Sequence, residues 1–264
     1  MIKVAIAGAR GKMGIEAVHT VMKHKGLMLV AALDYKEIGA TLGELEQFPA
    51  DYTVPIFTSF EELVEQTRPD VFIDLTNPQS VYEHTKQALL HKVRPVIGTT
   101  GFTDEQLEEL TQLAREQKIG CIIAPNFALG AVLMMKFARE AAKYFDDVEI
   151  IEMHHDKKLD APSGTGVKTA QMIAEVRQGK VQGHPEEHET ITGARGGDFD
   201  GMRIHSVRLP GLVAHQQVLF GGEGQLLTIR HDSLNRQSFM NGIVFCVETV
   251  VGIEHLVYGL ENIL

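Results

Sequence analysis

Residues 2 to 14 read IKVAIAGARGKMG, a short apolar run followed by glycines at positions 8, 11 and 14 and then by a helical pattern through Ile15, Val18, Val21 and Met22. A strand, a glycine turn and a helix start make a cradle for a dinucleotide. The glycines permit the tight turn, the close approach of backbone to pyrophosphate, and the packing of helix on sheet. The spacing is G-x-x-G-x-x-G, not the commoner G-x-G-x-x-G, so taken alone it also fits a plain turn. The next segment favours the cradle. LMLVAAL (27 to 33) is a second apolar strand that ends at Asp34, twenty residues past Gly14, where a carboxylate can accept the adenosine ribose hydroxyls. Lys36 can pair with a 2′-phosphate that Asp34 would repel, so this corner leaves NADH and NADPH both open. Lys12 is a further pyrophosphate or 2′-phosphate partner.

The same rhythm runs outward from there. Ser59 with Glu62, and Thr103 with Gln106, have the spacing of capping boxes. VFIDLT (71 to 76), PVIGTT (95 to 100) and IGCIIAP (119 to 125) read as buried strands, and Asn77-Pro78 opens a helix expected to reach about His91. Apolar strands alternating with helices predict an α/β fold with a doubly wound parallel sheet of the Rossmann type. Ligands of such sheets lie across the carboxyl ends of the strands. That draws in Thr76, Asn77, the turn Gly98 to Gly101, and Ala124 to Phe127. Their small and amide side chains suit a nicotinamide ribose and carboxamide.

The second half changes character. A helix over 128 to 145 leads to the strand VEIIEM (148 to 153), and residues 178 to 202 read as a loop. RIHSVRL (203 to 209), HQQVLFG (215 to 221) and GQLLTIRH (224 to 231) are strand-like, which predicts a second α+β domain on an open mixed sheet, a common oligomer-forming surface. The apolar helix 236 to 252 is expected to pack back on the first domain. The domains are then residues 1–126 plus 235–264 and residues 127–234.

Between the strand and the helix GVKTAQMIAEV (166 to 176) stands HHDKKLDAPSGTG (154 to 166). A helix starting near Ser163, Gly164 and Thr165 presents unpaired N–H groups and the positive end of its dipole to a carboxylate or phosphate. His154, His155, Lys157 and Lys158 add movable protons and positive charge beside it. This is the layout of an anion-binding, proton-handling site.

Composition sets limits. The formal charge of −10 argues against nucleic acid or an anionic membrane as partner, so positive groups for an anionic ligand must be local. Cys121 and Cys246 sit in apolar runs without metal-type spacing, which reads as buried thiols in a reducing compartment and no metal site. No run of 18 apolar residues offers a membrane span, and MIKVAIAG is too short for a secretory segment, so a cytoplasmic location is expected.

The strings HHDKKLDAPSGTG, GARGKMG, GTTGF and APNFALG, in their places, resemble the 4-hydroxy-tetrahydrodipicolinate reductase (dihydrodipicolinate reductase) family over nearly the whole chain. The resemblance implies NADH- or NADPH-dependent reduction of a small cyclic dicarboxylate on the diaminopimelate route to lysine, by a homotetramer joined through the second sheet. It implies an acid/base role for His154, a proton-donating role for Lys158, and substrate contacts from His155, Gly164 and Thr165, to which the helix-start reading adds Ser163. Nucleotide contacts would come from Gly8, Ala9, Arg10, Gly11, Lys12 and Met13, from Asp34, from Gly98, Thr99 and Thr100, and from Ala124, Pro125, Asn126 and Phe127. Some family members carry Arg directly after the ribose-binding acid, where this chain has Tyr35 and then Lys36. Another two-domain dehydrogenase of amino-acid metabolism and a nucleotide sensor without turnover are the rival readings.

Overall fold

A computed structural model describes residues 1–35 and 40–264. Lys36, the expected 2′-phosphate partner, lies outside the described residues. The chain divides into two compact units, Met1–Phe127 with Phe239–Leu264, and Ala128–Ser238. Both boundaries fall slightly later than the sequence suggests: Phe127 goes with the first unit, and the return crossing comes at Ser238.

In the first unit, β1 (Ile2–Ala7), α1 (Lys12–Lys23) and β2 (Leu27–Leu33) open the expected alternation. It continues through β3 (Ile56–Phe57), α2 (Phe60–Thr67), β4 (Val71–Asp74), α3 (Val81–Leu90), β5 (Arg94–Ile97), α4 (Asp104–Gln117) and β6 (Cys121–Ile123). β4 and β5 are buried at nearly every position, as a strand covered by helices on both faces must be. Thr103 and Gln106 close a reciprocal capping box at the head of α4. At α2 only half the box forms: Ser59 accepts from the Glu62 N–H, but its hydroxyl donates to Glu61. The helix expected from Asn77 begins later, at Val81, because the Asn77 side chain accepts from the N–H groups of Gln79 and Ser80 and turns the chain first.

The second unit holds α5 (Leu129–Ala141), β7 (Asp147–His154), α6 (Gly164–Ala174), β8 (Gly197–Phe199), β9 (Met202–Arg208), β10 (Ala214–Gly222) and β11 (Gln225–Ser233). The expected loop over 178 to 202 therefore contains one short strand. After a 3-10 turn at Arg236–Phe239 the chain rejoins the first unit as α7 (Met240–Val250) and β12 (Leu256–Tyr258).

The first sheet is parallel in the order β12-β6-β5-β4-β1-β2-β3. The order reverses direction at β1, between β2 and β4, so the crevice for a ligand opens above the carboxyl ends of those strands. β12 and β3 close the two edges, and the sequence reading contains neither, since each has only two or three residues. The second sheet is mixed, in the order β11-β10-β7-β9-β8, with β7 and β9 parallel and the other pairs antiparallel. One of its faces buries Val148, Ile150, Val218 and Phe220 with Ala138 and Ala170 of α5 and α6. By strand alternation the other face carries Ile151, Met153 and Leu219, with Leu226 68% exposed. Cys121 and Cys246 are free, buried thiols, and burial pushes Cys246 up to about 12.

Candidate active site

The glycine turn after β1 is built for close approach. Gly8 has φ +79°, and a Cβ on it would stand 2.6 Å from the Leu75 carbonyl oxygen; one on Gly14 would stand 2.0 Å from the Gly8 oxygen. Any side chain at Gly14 would push α1 off the turn. Ala9 is buried, so its methyl fills the core beneath the turn. Arg10 reaches over to the end of β2 and binds Asp34 with both arms, Nε to Oδ2 and Nη2 to Oδ1, each at 2.7 Å. This bidentate pair couples the residue expected to take the ribose hydroxyls to a cation on the turn. Lys12 is exposed on the first turn of α1. A cavity of about 640 Å³ lies over these strand ends, bordered by Gly8, Asp34, Tyr35, Thr76, Asn77 and His84. Its size, the glycine cradle and the ribose-height carboxylate fit a dinucleotide.

Beneath the neighbouring turn lies a group that the sequence reading passed over as one more strand residue. Asp74, fully buried at the end of β4, accepts from the Thr76 N–H (2.9 Å), the Thr76 hydroxyl (2.7 Å) and the Thr99 hydroxyl (3.1 Å), and sits 2.7 Å from His84 Nδ1. One carboxylate thus ties the turns after β4 and β5 to the face of α3. Thr99 is buried through that bond, while Thr100 is exposed. Ala124 and Phe127 are buried at the end of β6. Gly98, Thr99, Thr100 and Ala124 to Phe127 do not border the described cavity; they follow the next two strands, β5 and β6.

In the second unit the basic segment begins on the last residue of β7. Glu152, with no exposed side-chain surface, accepts at Oε2 from His154 (Nδ1 at 2.6 Å) and Arg208 Nη1 (2.9 Å), and at Oε1 from Arg208 Nη2 (2.7 Å) and the Ser163 N–H (3.2 Å). Burial pushes this carboxyl upward, but the bonds from His154, Arg208 and Ser206 and the guanidinium charge outweigh it and hold it at about 2. Glu152 is therefore an anion at any working pH. With Nδ1 engaged, His154 has Nε2 as its other ring position. Lys158 Nζ is held by both oxygens of Asp160, at 2.7 and 2.9 Å. That bond draws the Asp160 carboxyl below its ordinary range.

α6 starts as expected, at Gly164, with Ser163 as its cap. Ser163 is buried; its oxygen accepts from the Gly166 N–H and its own N–H goes to Glu152. It builds the helix start and does not face outward, so of the expected trio only Gly164 and Thr165 reach the surface. A Cβ on Gly164 would meet nothing within 4 Å, so that glycine leaves open space over the first turn. His155 and Lys157 are exposed beside it. The sequence reading did not single out Glu152, Arg208 or Asp74. Glu152 had one local signal, an acidic residue on the core-facing parity of a strand (Val148, Ile150, Glu152). Among the described residues no cluster of three side chains is suited to a metal ion, and no helix is long and apolar enough to cross a membrane.

Comparison with known proteins agrees with both units. Residues 2–127 match the family described as dihydrodipicolinate reductase, N-terminus, and residues 130–264 its C-terminus. The chain is 76% identical over 263 residues to the 4-hydroxy-tetrahydrodipicolinate reductase of Lysinibacillus sphaericus, covering 100% of this chain and 99% of that one. It is 63% identical, with the same coverage, to that of Oceanobacillus iheyensis. A dipicolinate-bound dihydrodipicolinate reductase from Paenisporosarcina sp. TG-14 superposes with a TM-score of 0.93 at 67% identity, each chain covered completely. A parallel sheet with a glycine cradle, a mixed sheet bearing the basic segment, and these matches end to end place the chain in the dihydrodipicolinate reductase family.

Proposed function

We propose that the chain reduces 4-hydroxy-tetrahydrodipicolinate to tetrahydrodipicolinate, on the diaminopimelate route to lysine, and that HHDKKLDAPSGTG is where the diacid is held and protonated. The reaction adds one hydride and one proton and releases the 4-hydroxyl as water. NADH or NADPH, when bound, supplies the hydride. Gly8 to Met13 and Asp34 hold the nucleotide at the turn after β1, with Gly98 to Thr100 and Ala124 to Phe127 serving its nicotinamide end. Arg10 can serve either nucleotide, as the partner of an Asp34 that binds ribose hydroxyls or as the countercharge of a 2′-phosphate.

In the second unit, the first turn of α6 at Gly164 and Thr165 holds one substrate carboxylate and His155 with Lys157 the other. Negative charge that builds on the ring during hydride transfer is met by the Lys158 ammonium, which leaves Asp160 to reach it. Lys158 delivers the proton, with His154 as donor or relay through Nε2. The observation that carries this reading is the single carboxylate of Glu152, which binds both the His154 ring and the N–H of Ser163 at the start of α6. It gives the proton-handling group and the anion-binding turn a shared anchor. The open face of the mixed sheet, with Ile151, Met153, Leu219 and Leu226, supports assembly as a homotetramer through this unit. A cytoplasmic location fits a biosynthetic reductase with a net charge of −10.

The test is steady-state reduction of freshly generated substrate with each nucleotide. Lys158→Ala is expected to lower kcat by at least about 10²-fold with nucleotide affinity little changed. Near-normal turnover would remove Lys158 from the mechanism.

A further inference from the structure

We propose that Arg208 is a positioning residue for this reaction, acting through Glu152 on His154 and through the Asp160 backbone on the segment that carries Lys158. The inference rests on the roles given above to His154 and Lys158. Its ground is the use of the guanidinium. Nη1 donates to Glu152 Oε2 and to the Val207 carbonyl at 2.8 Å, and Nη2 donates to Glu152 Oε1 and to the Asp160 carbonyl at 2.8 Å. The four hydrogens on these two nitrogens are all directed at the protein. A guanidinium committed in this way does not clamp a substrate carboxylate.

What it does is join two pieces of chain. β7 and β9 run parallel with His154 opposite Arg208, so the arginine stands at the end of the strand next to the imidazole. From there it reaches Glu152 on one side and the turn at Asp160 on the other, the turn whose side chain holds Lys158 Nζ. Glu152 needs a cation because its side chain is fully buried, and a buried carboxylate without one would be costly. With Arg208 in place Glu152 remains an anion, accepts from His154 Nδ1, and fixes the ring through the same bond. An orienting carboxylate of this sort sets both the tautomer and the direction of an imidazole. Lysine cannot replace the fork, since one ammonium cannot span both Glu152 oxygens and the Asp160 carbonyl in a plane.

The experiment is a double-mutant cycle in kcat between Arg208→Lys and His154→Ala, with thermal melting and nucleotide affinity followed for each variant. Arg208→Lys alone is expected to lower kcat by about 10- to 100-fold, with nucleotide affinity within about twofold. In the His154→Ala background the same change should cost clearly less, because only the share carried through the Asp160 turn to Lys158 remains. Equal losses in both backgrounds, or an Arg208→Lys enzyme within about threefold of wild type, would overturn the proposal. If Arg208→Lys shows no melting transition, Glu152→Gln, nearly isosteric, carries the same forecast in the same cycle. Failure of the underlying reading looks different, because His154→Ala would then by itself keep near-normal turnover.

Discussion

Two fully buried carboxylates, one in each unit, hold an imidazole near the carboxyl end of a strand: Asp74, the last residue of β4, holds His84 of α3, and Glu152, two residues before the end of β7, holds His154. Their remaining partners differ. Asp74 is surrounded by hydroxyls and a backbone N–H, from Thr76 and Thr99, and among the described residues no arginine or lysine pairs with it. Glu152 has the fork of Arg208. A hydroxyl network fixes turns in place without a strong local field, which suits the neutral ribose and carboxamide of a nucleotide. An ion pair that leans on an imidazole suits a site where a proton moves and the ligand is an anion. The same motif, a buried carboxylate late in a strand, is thus surrounded by hydroxyls in one unit and paired with a guanidinium in the other, in keeping with the roles proposed for each.

The largest effects should come from breaking each carboxylate. Asp74→Ala strands the donors of Thr76 and Thr99, and Glu152→Ala strands the part-buried Arg208 guanidinium and the buried Ser163 N–H; each is expected to cost about 3 kcal/mol or more in urea unfolding. The difference lies in rescue. Removing the partner as well, in Glu152→Met with Arg208→Met, should recover the share of the loss due to the unpaired guanidinium, while the Ser163 N–H stays unpaired. No second change should recover as much for Asp74→Ala, since among the described residues no arginine or lysine pairs with it. Equal rescue in both units would dissolve the distinction.

Acid tests the Glu152 pair next. The Glu152 carboxyl stands at about 2 in the folded chain against an ordinary value of 4.5. A depressed carboxyl contributes stability that is fully present above its unfolded value and fades as pH falls from about 4.5 through 2. The shift corresponds to about 3 kcal/mol. Unfolding free energies at pH 5 and pH 3 should show this fall in the wild type, and Glu152→Gln should lack the share due to one proton. An unchanged pH slope in the variant would mean that some other carboxyl drives the acid transition.

This comparison also marks what the residues alone reveal. The glycine turn, Asp34 and the HHDKKLDAPSGTG run are local patterns, and the doubly wound sheet follows from their alternation with apolar strands. Arg208 is 56 residues from Glu152, and only the parallel pairing of β7 with β9 brings them together. Nothing in RIHSVRL marks its last arginine as the partner of a distant glutamate. Asp74 was visible only as a carboxylate ending an apolar strand; its bond to Thr99, 25 residues on, depends on how the turn after β5 closes over it. The small edge strands β3 and β12 escaped because two or three residues carry no period. Ser163 shows the converse: its place at a helix start is a local pattern, while its burial is set by Glu152, which lies eleven residues before it.

The smallest effect on stability belongs to the start of α6. Gly14 and Gly164 both lie in the first turn of a helix at a proposed anion site, yet a Cβ on Gly14 would collide with the Gly8 oxygen and one on Gly164 would enter open space. Gly164→Ala should therefore leave stability unchanged or raise it by up to about 1 kcal/mol, since alanine is the better helix former. The added methyl nevertheless occupies the volume where a substrate carboxylate would approach the first N–H groups of α6. We expect KM for the diacid to rise by about tenfold or more while nucleotide affinity stays the same, a loss of the size of one hydrogen bond to a charged group. Gly14→Ala should do the reverse, lowering the melting temperature and weakening the nucleotide. An unaltered KM in Gly164→Ala would mean that the diacid is bound elsewhere in the second unit, and that the α6 glycine serves only the turn that precedes it.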